Sequence, residues 1–172
     1  MRLKPKVLWF QGITCNGNTH SLLCANSNRL ELFLNSFDLI YHPSLTTDTN
    51  LNDILNSDEK IDFLLVEGAI SQNTNFFSVS NHSVKDLLNK LALKSTYIIS
   101  VGSCASYGGV HAKFELNDDI TGVHTSLDKK IISKLRHKVV NLTGCPVHPE
   151  WILQTLFSLK KNASHVAHAD TP

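Results

Sequence analysis

At 172 residues, with 16 basic against 15 acidic side chains and 42% apolar residues, the chain is sized for one domain with a substantial core. Its near-neutral charge excludes a nucleic-acid binder that works by neutralising phosphates. No apolar run approaches the roughly 20 residues that cross a bilayer. The start, Met1-Arg2-Leu3-Lys4-Pro5-Lys6, shows neither a signal-type apolar segment nor a twin-arginine pair, so a cytoplasmic location is the expectation. Taken in chain order, five short apolar runs rich in β-branched and aromatic residues read as strands: Val7–Gln11, Asp38–His42, Phe63–Glu67, Thr96–Val101 and Lys138–Leu142. The inner ones are apolar on both faces, as strands covered by helices on two sides must be. Helical patterns fall between and after them, at Thr19–Asn26, Ser83–Leu93, Ala105–Ala112, Leu127–Leu135 and Glu150–Leu159. Val84, Leu87, Leu88 and Leu91 carry the clearest three/four spacing, with Asn81 or Ser83 as the N-cap. Pro43–Ser57 is mostly polar, with a weak helix at Leu51–Leu55. Strands alternating with helices predict an α/β fold, a flavodoxin-like five-stranded parallel sheet with helices on both faces. One domain over residues 1–161 is expected, with a flexible tail at 162–172.

The special residues cluster at one position in this scheme. Cys15 follows the first strand, Glu67-Gly68 closes the third, Gly102-Ser103-Cys104 follows the fourth and Gly144-Cys145-Pro146 the fifth. In an open parallel sheet these are all carboxyl ends, the edge where ligands bind. Three thiols from separate loops would meet there, each beside a glycine that permits a sharp turn or a close backbone approach. Soft thiolates at such a point suit a metal or iron–sulfur cluster better than a disulfide framework. Buried cysteine as a small core residue is the competing reading.

The motifs themselves carry a family resemblance. Val7-Leu8-Trp9-Phe10-Gln11-Gly12-Ile13-Thr14-Cys15-Asn16-Gly17-Asn18-Thr19 resembles the first cluster motif of nickel–iron hydrogenase small subunits, which reads Cys-x-Gly-Cys. Val66-Glu67-Gly68 resembles the family's acidic-glycine segment, Val101-Gly102-Ser103-Cys104 its second motif, and Thr143-Gly144-Cys145-Pro146-Val147-His148-Pro149-Glu150-Trp151 its third. The motifs run in family order from about Lys6 to Leu159. The related quinone-reductase subunit of respiratory complex I shares the fold, but its first motif has adjacent cysteines, which are missing here. The resemblance implies an electron-transfer subunit that holds an iron–sulfur cluster through Cys15, Cys104 and Cys145 as metal ligands. Its partners would be a nickel–iron large subunit and a further electron-transfer subunit. No catalytic residue is assigned, because the paired Cys-x-x-Cys motifs that bind nickel are not in this chain.

The family's second cysteine is Asn18 in this sequence. Three completions of the cluster stand open. The first is a three-thiolate site, either [3Fe–4S] or a [4Fe–4S] cubane completed by Asn18 or solvent. The second is His20 as a replacement imidazole ligand. The third, least favoured, is Cys24, about 9 Å further along the helix and expected to be a buried helix residue. The same replacement motivates a rival reading, a non-catalytic small-subunit paralogue in hydrogenase assembly, maturation or regulation. Glu67 is either a carboxylate lining the subunit interface or accepting backbone N–H bonds near the cluster, or a cap on its own following turn. Trp9 and Trp151 are expected as apolar anchors in the core or an interface. His111 and His148 are candidates for hydrogen bonding to cluster sulfur.

Overall fold

The computed structural model describes residues 4–73, 78–79, 82–113, 119–135 and 138–169, with the backbone alone for 113 and 162–169. In chain order the elements are β1 (Lys6–Gln11), α1 (Gly17–Leu23), α2 (Ser27–Ser36), β2 (Asp38–Tyr41), α3 (Leu51–Asn56) and β3 (Ile61–Glu67). Three two-residue strands follow, β4 (Ile70–Ser71), β5 (Ser78–Val79) and β6 (His82–Ser83), then α4 (Val84–Lys94), β7 (Ser95–Val101) and α5 (Ser103–Tyr107). A 3-10 turn at Gly109–Lys113 leads to β8 (Ile120–Thr121), α6 (Val123–Ser126), α7 (Lys129–Leu135), β9 (Val139–Leu142) and α8 (Pro149–Ala169).

The main sheet has five strands in the order β2-β1-β3-β7-β9, and every pairing in it is parallel. This is the flavodoxin-like order the sequence predicts. Because side chains alternate along a strand, the sheet divides the core in two. Leu8, Phe10, Leu64, Val66 and Ile98 pack with α3, α4, α6 and α7 through Ile54, Leu87, Leu88, Val123 and Ile131. Val7, Trp9, Phe63, Leu65 and Ile99 pack on the other side with α1, α2 and α8 through Leu22, Phe33, Ile152 and Leu156. Each such side chain, fully buried, contributes roughly 1.5–3 kcal/mol of transfer free energy, which explains why β1 and β3 are apolar on both faces. Among the described residues no helix is long and apolar enough to cross a membrane.

Several helices differ from the sequence expectation. The segment Thr19–Asn26 shifts to Gly17–Leu23, and α2 was not foreseen because Phe33 is its one fully buried residue. Its start is nonetheless encoded: the Asn26 side chain accepts a hydrogen bond from the Asn28 N–H, a local N-cap. Ala105–Ala112 breaks into α5 and the 3-10 turn because Gly108 and Gly109 interrupt it with positive φ. The Leu127–Leu135 pattern starts two residues later, as α7 from Lys129, because Leu127 is extended at the end of the short helix α6, which the sequence reading did not foresee. Ser83 caps α4 by accepting from the Asp86 N–H, while Asn81 lies outside the described residues. The final helix does not stop at Leu159; its backbone is described to Ala169. Lys160-Lys161-Asn162-Ala163 contains no glycine or proline to end it, and lysine and alanine are good helix formers.

Candidate cluster-binding edge

Four strands end level with one another. Gln11 pairs with Glu67, Glu67 with Val101, and Val101 with Leu142. The loops that leave this row brace each other in pairs. Gly12 N–H donates to the Glu67 carbonyl at 2.8 Å, and Ile13 and Ala69 exchange two backbone bonds of 2.9 Å. On the other side Gly102 N–H donates to the Leu142 carbonyl and Ser103 N–H to the Gly144 carbonyl, each at 2.8 Å. The cysteine loops are thus held by the sheet's own backbone, continued past its edge.

Beneath the row lies a polar network centred on Glu67, which is fully buried. Its Oε1 accepts from the N–H groups of Asn18 (2.9 Å) and Thr19 (3.3 Å), at the start of α1. Its Oε2 accepts from Trp9 Nε1 (3.1 Å), Gln11 Nε2 (3.2 Å) and Thr19 Oγ1 (2.5 Å). Burial alone pushes this carboxyl up, but the bonds from Thr19, Gln11, Trp9 and the Asn18 N–H outweigh it, leaving Glu67 below its ordinary value. The carboxylate therefore satisfies the unpaired first N–H groups of α1, and it caps that helix rather than its own turn. His42, also fully buried, extends the network. Ser44 N–H donates to its Nδ1 at 3.1 Å, so the remaining proton sits on Nε2, 3.2 Å from Thr19 Oγ1. Burial lowers the His42 pKa, partly offset by Glu67.

The three expected thiols lie at this same edge of the sheet. Cys15 lies in the β1–α1 loop, Cys104 on α5 and Cys145 in the β9–α8 loop. Cys15 and Cys145 are exposed and Cys104 is half-buried. The space above Gly17 joins the first loop to the last: a Cβ there would lie 3.3 Å from Cys15 Sγ and 3.9 Å from Pro146 Cβ. Burial pushes the Cys104 thiol up, and the charges of Cys145 and Cys15 push it the same way, while the Val110 N–H donates to its sulfur and partly offsets them. Gly109 makes that approach possible. Its φ is +58°, and a Cβ there would stand 2.6 Å from Cys104 Sγ.

Among the described residues no group of three His, Cys, Asp or Glu side chains closes on a single metal ion. One tetrahedral ion would draw its thiolates to about 2.3 Å from a common point.

The other candidates fall elsewhere. His20 is exposed on α1. Cys24 is exposed at the C-terminal cap of α1, not buried against the sheet, because α1 ends one turn sooner than its pattern suggests. His148 uses its Nδ1 to accept from the Glu150 N–H at 3.3 Å, at the start of α8. Trp9 is buried in the core, whereas Trp151 is 57% exposed. Asn18 is buried, and its amide is engaged at both ends: Nδ2 donates to the Val101 carbonyl (3.2 Å) and Oδ1 accepts from the Val147 N–H (2.9 Å). The sequence reading missed Thr19 and His42. The available signal for His42 was a histidine directly after the Leu39-Ile40-Tyr41 run, at the carboxyl edge.

A family model described as NADH ubiquinone oxidoreductase, 20 Kd subunit, matches residues 15–159. The chain belongs to this family. The periplasmic [NiFeSe] hydrogenase small subunit of Desulfomicrobium baculatum is 33% identical, over 89% of this chain and 54% of that protein. The F420 non-reducing hydrogenase II small subunit of Methanosarcina mazei is 29% identical, over 89% of this chain and 47% of that protein. The solved structure of the reduced, active Ni-Fe-Se hydrogenase from D. baculatum matches with a TM-score of 0.75 and 26% identity, covering 96% of this chain and 65% of that one. The chain thus spans about half the length of the curated relatives it matches. The resemblance to nickel–iron hydrogenase small subunits is borne out, and so is the α/β fold.

Proposed function

We propose that the chain is the iron–sulfur, electron-carrying subunit of a nickel–iron hydrogenase, binding one cluster through Cys15, Cys104 and Cys145. The observation that carries this reading is that three thiols stand just past three strand ends that lie level at one edge of the sheet, in a chain whose relatives are hydrogenase small subunits. A [4Fe–4S] cluster with a non-thiolate fourth ligand or a [3Fe–4S] cluster suits this donor set. When bound, the cluster supplies one-electron storage and transfer.

The protein's own residues do the rest. Glu67 fixes the start of α1 and with it the loop that carries Cys15. The Val110 N–H stabilises charge on the Cys104 sulfur. Tyr107 (65% exposed), Val110 (57%) and Trp151 (57%) flank the cysteine loops with apolar surface, which a nickel-containing large subunit would cover, excluding water. Electrons would pass on to a further electron-transfer subunit.

Asn18 favours a second reading, a non-catalytic paralogue acting in hydrogenase assembly, maturation or regulation. Anaerobic purification with iron and sulfide analysis and EPR tests the first. A colourless, iron-free protein after careful reconstitution sinks it. Co-purification separates the two: a permanent stoichiometric complex with a mature large subunit supports the electron carrier, and transient binding to an immature one supports the paralogue.

A further inference from the structure

Asn18 stands where the family motif has a thiolate, and the geometry around it is closed. Its side-chain Nδ2 donates to the carbonyl of Val101, the last residue of β7, and its Oδ1 accepts from the N–H of Val147, two residues beyond Cys145. An amide nitrogen is no ligand while it carries its protons, and here it faces a carbonyl. The one atom able to ligate, Oδ1, already accepts from a backbone donor that would otherwise be a buried, unpaired N–H, and a metal would have to share that oxygen with the bond. The surrounding backbone is shaped to this arrangement. Gly102 has φ +95°, and a Cβ at that position would stand 2.5 Å from Asn18 Nδ2.

The neighbouring donors do not replace it. His20 is two residues on in α1, and residues two apart on a helix do not share a face. It is exposed where Asn18 is buried. Cys24 lies beyond the end of α1. Three of the four loop positions therefore offer thiolates, and the fourth offers a neutral amide whose two ends are already hydrogen-bonded to the backbone.

We infer that Asn18 is a strap that ties the end of β7 to the loop before α8, and that the cluster keeps one iron position open to a small exogenous thiolate. This rests on the reading that the chain carries a cluster. A free thiolate is the chosen class because it supplies the same soft, anionic donor as the three cysteines. On binding it displaces solvent from the iron and leaves its proton to the buffer, with no change of oxidation state.

Two measurements on the full chain test this, with 2-mercaptoethanol as the probe. In the cluster-free protein, Asn18→Ala is expected to lower the midpoint of thermal unfolding by about 5–10 °C, since two buried backbone groups lose their partner. In the anaerobically reconstituted protein, 2-mercaptoethanol is expected to shift the EPR spectrum of the wild type and of His20→Ala alike. It should leave unchanged the spectrum of Asn18→Cys, whose new thiolate fills the position. An Asn18→Ala variant that unfolds like the wild type but alters the spectrum before any probe is added would make Asn18 a ligand and overturn the strap. A wild-type spectrum indifferent to the thiolate, together with one changed by His20→Ala, would place His20 at the fourth position. If neither the wild type nor Asn18→Cys retains iron, the cluster reading fails and the open position with it, while the unfolding midpoint still decides whether Asn18 is a strap.

Discussion

Replacing Glu67 with Gln removes one charge from the most heavily hydrogen-bonded side chain of the cluster edge without changing its shape. The wild-type carboxylate accepts five bonds, from Trp9, Gln11, Thr19 Oγ1 and the N–H groups of Asn18 and Thr19. If the new amide keeps its oxygen towards the two backbone donors of α1, its NH2 group faces the other three. Thr19 can rotate its hydroxyl and Gln11 can flip its amide, but the indole N–H of Trp9 has no alternative. One buried donor is then left without an acceptor, at about 1–3 kcal/mol, and the surviving bonds lose their charge assistance. Relief from burying a charge offsets part of this. The net expectation is a loss of about 2–4 kcal/mol, measured by urea unfolding of the cluster-free chain at neutral pH.

The pH dependence gives a second, independent signature. The folded-state pKa of Glu67 lies below its unfolded value. Its stabilising contribution is therefore present in full above about pH 4.3, the ordinary glutamate value, and is lost as the pH falls towards the folded pKa. The gap between wild type and Glu67→Gln should narrow on acidification. A neutral-pH cost below about 0.5 kcal/mol, within the range of an ordinary surface change, would refute the reasoning. So would a gap that stays constant through the acid range.

Three further outcomes are expected. Gly102→Ala forces a Cβ against the Asn18 amide at a φ of +95°, so unfolding free energy should fall by about 1–3 kcal/mol. His42 should titrate in NMR with a midpoint below the ordinary value of about 6.5, since burial lowers its pKa; its share of stability is present above that value and lost as the pH falls through the folded midpoint. The raised Cys104 thiol should be alkylated more slowly at mildly basic pH than an unstructured reference thiol, and Cys104→Ser should lose most of the iron bound on reconstitution.

Much of this protein could be read without its coordinates. The apolar runs of β1, β3 and β7 identify buried parallel strands because a strand covered on both faces has no polar side to show. Alternation with helices then fixed the class, and the glycine–cysteine motifs marked the carboxyl edge, since both signals are local. The short helices were less legible. In α2 a single residue, Phe33, is fully buried, too weak a stripe to stand out, and the Gly108-Gly109 break in the Ala105–Ala112 pattern depends on backbone angles that composition does not give.

The cluster edge itself needed the tertiary structure. Sequence shows that Asn18 occupies a cysteine's place, and leaves open whether its amide is a ligand. That choice depends on Val101 and Val147, the latter 129 residues away along the chain, which the fold brings to the two ends of one amide. The same holds for Glu67, whose donors come from β1 and α1, and for His42, whose tautomer is set by Ser44 and whose partner is Thr19. Local pattern determines which residues form strands and which loops carry thiols. Which buried polar atoms find partners, and so which side chain is free to hold a cluster, is decided when distant strand ends are packed into one row.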